Sequence, residues 1–143
     1  MKFSLFIDKE RAEECIVYAH EKSRLVEEIE KLILENGFDL TGYKDGSIIK
    51  INLSEVYCFM VENGKTYAIT ETDRLLVKNR LYQLEENLME NFIKINQSCI
   101  ANIKKIKRFD ASFSGSLSVV FKNGYSDYVS RRQVKNVKER LGV

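Results

Sequence analysis

Short β-forming runs separated by turn residues are the feature that most constrains how this chain can fold. Asn63-Gly64 lies between two β-prone runs, and Asn123-Gly124 lies between two more. The Asn-Gly pair favours a two-residue hairpin turn, because both central positions of that turn need a positive φ. Strands at this close spacing, with helices as connectors, predict a mainly β, α+β fold with short helices.

Between residues 43 and 143 most apolar residues repeat with the period of a strand. We predict a turn at Lys44-Asp45-Gly46 and strands in the runs 48–53, 56–60, 66–70, 75–77, 92–95, 106–113, 117–122 and 125–129. Leu81, Leu84 and Leu88 instead recur as on a short helix, which Asn79 can cap. Ser130 is the predicted N-cap of a terminal helix that ends at Gly142.

Residues 1–42 are predicted to form a β-β-α segment. Phe3, Leu5 and Ile7 recur with a period of two, as in a short strand. The run Glu14–Ala19 is compatible with a helical stripe as well, but its Cys-Ile-Val-Tyr core favours a second strand.

A helix over Arg24–Glu35 completes this segment. Its apolar residues fall on one face, with Ser23 as the predicted N-cap and Gly37 just past the end. The apolar face covers a sheet or meets a second copy of itself.

The stretch Phe92–Asn102 combines a strand with a polar tip. Its first residues are apolar and β-prone, and Asn96, Gln97 and Ser98 then form a polar turn before the chain re-enters the core. A basic run follows at once, at residues 104–108. An exposed amide and hydroxyl tip beside cations suits contact with bases and phosphates.

The charge is divided unevenly along the chain. From Phe92 to the end there are eleven Lys and Arg against three acids, a balance of +8, whereas residues 1–91 carry a balance of −6. A segment this basic suits a polyanion such as nucleic acid. A solvated helix face would show the same charge, so the charge alone does not decide between the two.

Arg131 and Arg132 fall in the first turn of the predicted terminal helix, where the helix dipole disfavours cations. A bound anion would compensate, since helix amides and two guanidinium groups together suit a phosphate, and one arginine could instead pair with a guanine edge. The alternative is that both arginines lie over acidic surface elsewhere on the protein.

The stretch Phe92–Asn102 resembles the central signature of the LytTR DNA-binding domain family. In that signature a phenylalanine-basic-apolar strand runs into a polar tip, a serine and a closing asparagine, matched here by Phe92, Lys94, Ser98 and Asn102. The resemblance extends over about residues 43–143 and includes the segments ENGKTYAI, RLYQLEENL and SRRQVKNVKERLG. It implies a LytTR-like assembly of small antiparallel sheets as the DNA-binding domain, with residues 1–42 outside the core pattern.

The resemblance also implies which residues contact DNA. In that family loops and short elements bind DNA, with base-reading positions at the first hairpin tip, the polar turn and the start of the last helix. Carried onto this chain, the implied base contacts are Lys65, Thr66, Asn96, Gln97 and Arg132. We expect phosphate contacts at Lys94, Ser98, Lys104, Lys105, Lys107, Arg131 and Lys135. Relatives often carry His or Arg in the polar turn, so their DNA sequence preference does not transfer.

These observations predict a transcriptional regulator that binds double-stranded DNA sequence-specifically and inserts loops into major grooves. We expect a cytoplasmic homodimer, at least on DNA, without membrane insertion; the resemblance implies a regulatory protein partner, membrane-bound in similar short regulators. Some forty residues cannot hold a receiver domain, so we expect residues 1–42 to pack on the domain or to dimerise it.

Two other classes of function stay open. An RNA-binding β module would stack bases on aromatic residues that lie among cations, namely Phe109, Phe113, Phe121 and Tyr125. A protein-binding adaptor would use the acidic N-terminal helix instead.

The residues needed for catalysis or metal binding are missing from the sequence. His20 is the single histidine, no Cys or His pair has zinc spacing, and no Walker-type phosphate loop occurs. We expect no enzymatic activity, no cofactor and no metal. Cys15, Cys58 and Cys99 are expected to be reduced core residues. No apolar run approaches the length of a membrane span, and no signal peptide is visible.

Overall fold

The computed structural model describes residues 1–35, 39–88, 91–112 and 114–142, and the chain divides into two units, residues 1–38 and 39–143. The sequence analysis placed the division after residue 42. Strand β1 (Leu40–Lys44) explains the difference, because it belongs to the second unit and was not predicted.

In the first unit the predicted helix is confirmed as α1 (Arg24–Glu35). Ser23 caps it, because the Val26 amide donates to Ser23 Oγ at 3.4 Å. The predicted C-cap, Gly37, lies outside the described residues. The two predicted strands, Phe3–Ile7 and Glu14–Ala19, are wrong: residues 1–22 form neither helix nor strand. A β-prone run becomes a strand only when another strand pairs with its backbone, and no described strand pairs with these residues.

The second unit contains two antiparallel sheets and two helices, which confirms the mainly β fold. The first sheet has the order β2-β1-β5-β4-β3-β7-β6 and the second has the order β10-β9-β8. The elements after β1 are β2 (Ser47–Ile51), β3 (Cys58–Glu62), β4 (Lys65–Ile69), β5 (Arg74–Val77), α2 (Leu81–Asn87), β6 (Phe92–Asn96), β7 (Cys99–Asn102), β8 (Ile106–Ala111), β9 (Leu117–Phe121), β10 (Ser126–Val129) and α3 (Arg131–Leu141).

Local chemistry explains where several of these elements begin and end. Asp45 and Gly46, with φ of 49° and 79°, form the β1–β2 turn. The run predicted to reach residue 53 stops at the end of β2, where Asn52 accepts a hydrogen bond from the Ser54 amide at 3.1 Å and starts a 3₁₀ turn. Arg80, not Asn79, is the N-cap of α2, and its amide donates to Gln83 Oε1 at 2.9 Å. The predicted strand residue Phe113 lies outside the described residues.

One apolar core joins the two sheets and α3. Cys58, Ile95 and Cys99 from the first sheet pack in one cluster with Phe121 from the second and Val137 from α3. Burial of two cysteines is confirmed, and a hydrogen bond with Cys58 together with burial raises the pKa of Cys99 well above its ordinary value.

Cys15 does not follow the prediction of a buried core thiol. It is exposed, because the segment that carries it packs into no core of the described residues. None of the helices in the described ranges is long and apolar enough to cross a membrane.

Replacing Gly42 by Ala is expected to destabilise the second unit. A Cβ at Gly42 would lie 2.9 Å from Ile51 Cδ1 and 2.9 Å from Leu75 Cβ, and the second of these atoms cannot move without its backbone. We expect a loss of about 1–3 kcal/mol in the free energy of unfolding, measured by urea denaturation. The control is Ser47→Ala on the exposed start of β2, and equal stability of both variants would contradict this account of β1 packing.

Candidate nucleic-acid interface

The β3–β4 turn presents the first predicted contact. Asn63 and Gly64 have φ of 52° and 74°, as the predicted hairpin turn requires. Lys65 follows them, exposed, and stands opposite Glu62 across the hairpin. The Glu62 carboxylate instead pairs with Arg74, whose guanidinium lies 4.0 Å from the centre of the Tyr67 ring. Lys65 therefore makes no ion pair with any described residue.

The β6–β7 turn presents the second contact. Gln97 and Ser98 form this turn and both are exposed, as predicted. The Val61 amide donates to the Ser98 carbonyl at 2.8 Å, and Met60 stands opposite Cys99 in the ladder. The β6–β7 turn thus lies beside the end of β3 that leads into the β3–β4 turn.

The start of α3 presents the third contact. The Ser130 amide donates to the Ile95 carbonyl at 2.8 Å, which attaches the helix beside the polar turn. Ser130 occupies the N-cap position as predicted, but its hydroxyl makes no capping hydrogen bond. Arg131 and Arg132 are exposed and make no ion pair with the described residues, so the alternative of an acidic patch beneath them lacks support here.

These three elements come together at one end of the second unit, although more than thirty residues separate each from the next along the chain. We call residues Asn63–Lys65, Gln97–Ser98 and Ser130–Arg132 the tip surface. Strand register and two backbone hydrogen bonds place them together, and no local sequence pattern could have done so. The tip surface carries one ammonium group, two amides, two hydroxyls and two guanidinium groups, a set that can contact bases and phosphates.

Asn96 does not have the exposed amide that the sequence analysis expected. Its side chain is 1% exposed, and its Nδ2 donates to the Tyr128 carbonyl at 2.8 Å and to Asp127 Oδ1 at 3.1 Å. Its Oδ1 accepts from the Ser98 amide at 2.8 Å. Both ends of the amide are committed inside the protein, so Asn96 is not a base-reading candidate.

Thr66 is also a weaker candidate than expected. Its side chain is 7% exposed and stands opposite Val77 in the β4–β5 ladder. Successive side chains along a strand point to opposite faces, and here Lys65 takes the exposed position. Of the two base contacts implied at this hairpin, Lys65 is therefore the one whose side chain is exposed.

Two cations beside the tip surface were missed by the sequence analysis. A groove of about 490 Å³ lies along the β3–β4 hairpin, and its lining includes Lys65, Lys78 and Arg80. Because Thr66 pairs with Val77, β5 ends next to the start of β4, and the residues that follow β5 reach the groove. The sequence did contain a signal for these two cations: Lys78 and Arg80 directly follow β5, the strand that pairs with β4 of the hairpin.

Several predicted phosphate contacts do not join the tip surface. Lys104 and Lys105 form a 3₁₀ turn after β7, at the end of that strand opposite the polar turn, and Lys105 Nζ lies 5.2 Å from the Tyr57 ring centre. Lys107 lies in β8 directly after this turn, and Lys94 Nζ is 3.8 Å from a Glu85 carboxylate oxygen. The prediction that residues 104–107 flank the polar tip in space is therefore wrong. Lys135 remains exposed, one turn along α3 from Arg131.

Known proteins are similar to this chain in sequence and in fold. A family model described as the LytTr DNA-binding domain matches residues 46–142. Two relatives, from Staphylococcus aureus strains MSSA476 and NCTC 8325, are each named an uncharacterized HTH-type transcriptional regulator. Each is 35% identical to this chain, and the alignment covers 100% of this chain and 99% of the relative. A solved LytTr DNA-binding domain from Bacillus cereus superposes with a TM-score of 0.70 at 24% identity, over 75% of this chain and 100% of that one.

The adjacent amides Asn96 and Gln97 should differ sharply in their effect on stability. Asn96→Ala leaves the Tyr128 carbonyl and the Ser98 amide without their partner, and we expect a loss of about 2–4 kcal/mol in the free energy of unfolding. Gln97→Ala is the matched control and should change this free energy by less than about 0.5 kcal/mol, because its side chain is exposed. Equal losses in denaturant titrations would contradict the assignment of Asn96 to a structural role.

Proposed function

The chain belongs to the LytTR family of DNA-binding domains, and we propose that it reads specific double-stranded DNA sequences in the major groove through the tip surface. The relatives that match its whole length are named transcriptional regulators, so the DNA that it reads lies in promoters. One observation supports this proposal above all others. Lys65, Gln97 and Arg132 stand exposed at the same end of the second unit, on three elements that only the fold brings together.

Each of these three side chains fits a particular task. The Gln97 amide can donate to and accept from the adenine edge, and the Arg132 guanidinium can form two hydrogen bonds with a guanine edge. Lys65 can contact a base or a phosphate as a point charge. A hairpin turn and a helix end are small enough to enter a major groove that is about 12 Å wide.

Phosphate contacts then position the protein without specifying sequence. Arg131, Ser98 and Lys135 stand beside the base-reading residues, and Lys78 and Arg80 extend the positive surface along the groove. The amide groups at the start of α3 add a site that favours negative charge. Lys104, Lys105 and Lys107 contribute to the general positive field only, because they lie at the opposite end of β7.

Binding as a homodimer would place two tip surfaces on one duplex. A two-fold symmetric protein binds half-sites that lie one helical turn apart, about 10 base pairs, or a multiple of that spacing. Two sets of base contacts increase discrimination without enlarging the small reading surface of one chain.

Of the four aromatic residues that could support RNA binding, the three that the structure describes pack into the core. Phe121 is fully buried, and its ring centre lies 5.9 Å from that of Tyr125. Phe109 and Tyr125 are half-buried and pack against the same cluster, and burial raises the pKa of Tyr125 above its ordinary value. None of these three offers a stacking platform for unpaired bases.

Truncating the two base-reading side chains should reduce sequence discrimination. We expect Gln97→Ala and Arg132→Ala each to weaken binding to the preferred duplex by about 1–3 kcal/mol, while binding to scrambled duplex changes much less. The measurement is fluorescence anisotropy with a duplex chosen by selection from random sequences and with its scrambled version. Lys105→Ala is the matched control at the opposite end, and it should preserve the preference.

Three results would contradict this proposal. The first is loss of affinity for both duplexes in equal proportion, which would mean that the tip surface is only a basic patch. The second is stronger binding of single-stranded RNA, and the third is failure to bind any nucleic acid at low salt, which would favour a protein-binding adaptor.

Removing a cation from the groove should weaken binding to all DNA sequences to the same extent. We expect Lys78→Ala to reduce the slope of log affinity against log salt by up to about one unit, because one fewer counterion is released. Titrations of the preferred and scrambled duplexes across a salt series measure both slopes. Lys122→Ala, an exposed cation at the β9–β10 turn, is the control, and an equal effect there would argue against a specific role for the groove.

A further inference from the structure

Exposed apolar side chains are concentrated in the first unit. Of the fourteen large apolar side chains that are exposed in the described part of the chain, eleven lie in residues 1–33, including Phe3 at 88%, Ile7 at 86% and Tyr18 at 91%. All of the described buried core residues lie at Leu40 or beyond. A monomeric protein rarely exposes a contiguous apolar area larger than a few hundred Å², so this segment has the composition of an interface.

We propose that residues 1–33 form a homodimer interface in which a second copy of the chain supplies the missing partner. In each copy the run Phe3–Ile7 has the period of a strand and the run Glu14–Ala19 has β-prone residues, but neither has a strand to pair with among the described residues. Each run can gain a backbone ladder from its counterpart in the second copy, as strand addition does in many complexes. This interface is separate from the tip surface, and it does not depend on the proposed DNA contacts.

The available apolar area matches what a stable dimer requires. Eleven large side chains that each expose on the order of 100 Å² present roughly 1,000 Å² of apolar surface. A standard specific interface buries about 800 Å² from each partner. A small peptide or a single docked loop would leave much of this surface in water.

The helix α1 has a charge distribution that complements a second copy of itself. Cations Lys22 and Arg24 stand at its start, and acids Glu27, Glu28 and Glu30 follow within two turns. Lys22 and Arg24 already pair with Glu30 and Glu28 of the same chain. Two copies related by a two-fold axis across the helix run antiparallel, so these pairs can join those of the second copy in one network of alternating charge.

The apolar face of α1 lies between these charges. Leu25 and Ile33 are 49% and 51% exposed although they belong to the apolar stripe of the helix. Ion pairs line the stripe, with Lys22 Nζ 3.0 Å from Glu30 and Arg24 Nε 3.4 Å from Glu28. An apolar stripe bordered by both signs of charge is the pattern of a helix that pairs with another helix.

Sedimentation equilibrium of the full chain without DNA tests this proposal from low to high micromolar concentration. We expect a dimer, and we expect Ile16→Glu and Ile33→Glu each to weaken it on the order of 100-fold or more, because the two-fold axis repeats each buried charge. Ile48→Glu is the matched control: Ile48 is 73% exposed in the second unit, and its substitution should leave the dimer unchanged. At a concentration where the unsubstituted chain is a dimer, circular dichroism should show less β structure in Ile16→Glu and Ile33→Glu, which lose the ladders between copies, and an unchanged spectrum in Ile48→Glu.

A strict monomer at every concentration would overturn the proposal. If residues 1–33 of that monomer also resisted limited proteolysis, the segment would be packing on its own chain. A dimer that survived both substitutions in residues 1–33, or that Ile48→Glu weakened equally, would place the interface elsewhere. Fluorescence anisotropy with the preferred and scrambled duplexes separates the two proposals. A chain that dimerises but binds both duplexes equally would contradict the proposed DNA contacts and leave the dimer interface supported.

Discussion

The buried amide of Asn96 is the interaction on which the arrangement of the tip surface depends. It connects the β6–β7 turn, through the Ser98 amide, to the end of β10, through Asp127 and the Tyr128 carbonyl. The first sheet and the start of α3 are therefore held in one geometry. An amide buried without these partners would cost several kcal/mol, so competing arrangements are strongly disfavoured. The Gln97 side chain is exposed, because the hydrogen bonds that hold this turn in place are made by Asn96.

A second asparagine fixes the other end of the same hairpin. Asn102 is 1% exposed, its Nδ2 donates to the Val56 carbonyl at 2.8 Å, and its Oδ1 accepts from the Lys104 amide at 3.1 Å. Phe92 stands opposite Asn102 in the β6–β7 ladder, and its ring centre lies 5.8 Å from that of Phe59. Phe92 and Asn102 of the family signature are thus buried residues of the scaffold, whereas Ser98 lies exposed on the tip surface.

The two units differ in how completely they bury their apolar residues. The second unit closes its core with two sheets and α3, and it presents polar and cationic groups at its tip. The first unit leaves strand-prone runs and the apolar face of α1 exposed. The proposed DNA contacts and the proposed dimer interface consequently fall on different parts of the sequence, and a substitution in one need not alter the other. Exposed apolar area of this kind favours association through the hydrophobic effect, and exposed cations favour contact with a polyanion.

The sequence alone determined the features that depend on neighbouring residues. The two-residue hairpin turn at Asn63-Gly64, helices α1 and α3, the mainly β class and the family were all predictable, because turn propensity, capping and period are local. Asn123-Gly124 also lies in a turn, but four residues separate β9 from β10 and only Gly124 of the pair has a positive φ. The exposure of Lys65 and Arg132 followed from the same patterns.

Tertiary structure alone decided which of two adjacent amides is buried, since the partners of Asn96 lie about thirty residues away. It also placed Lys78 beside the hairpin, put Lys105 at the opposite end and left residues 1–22 without a strand. Burial and ladder pairing are made by residues distant in the chain, and no local pattern records them.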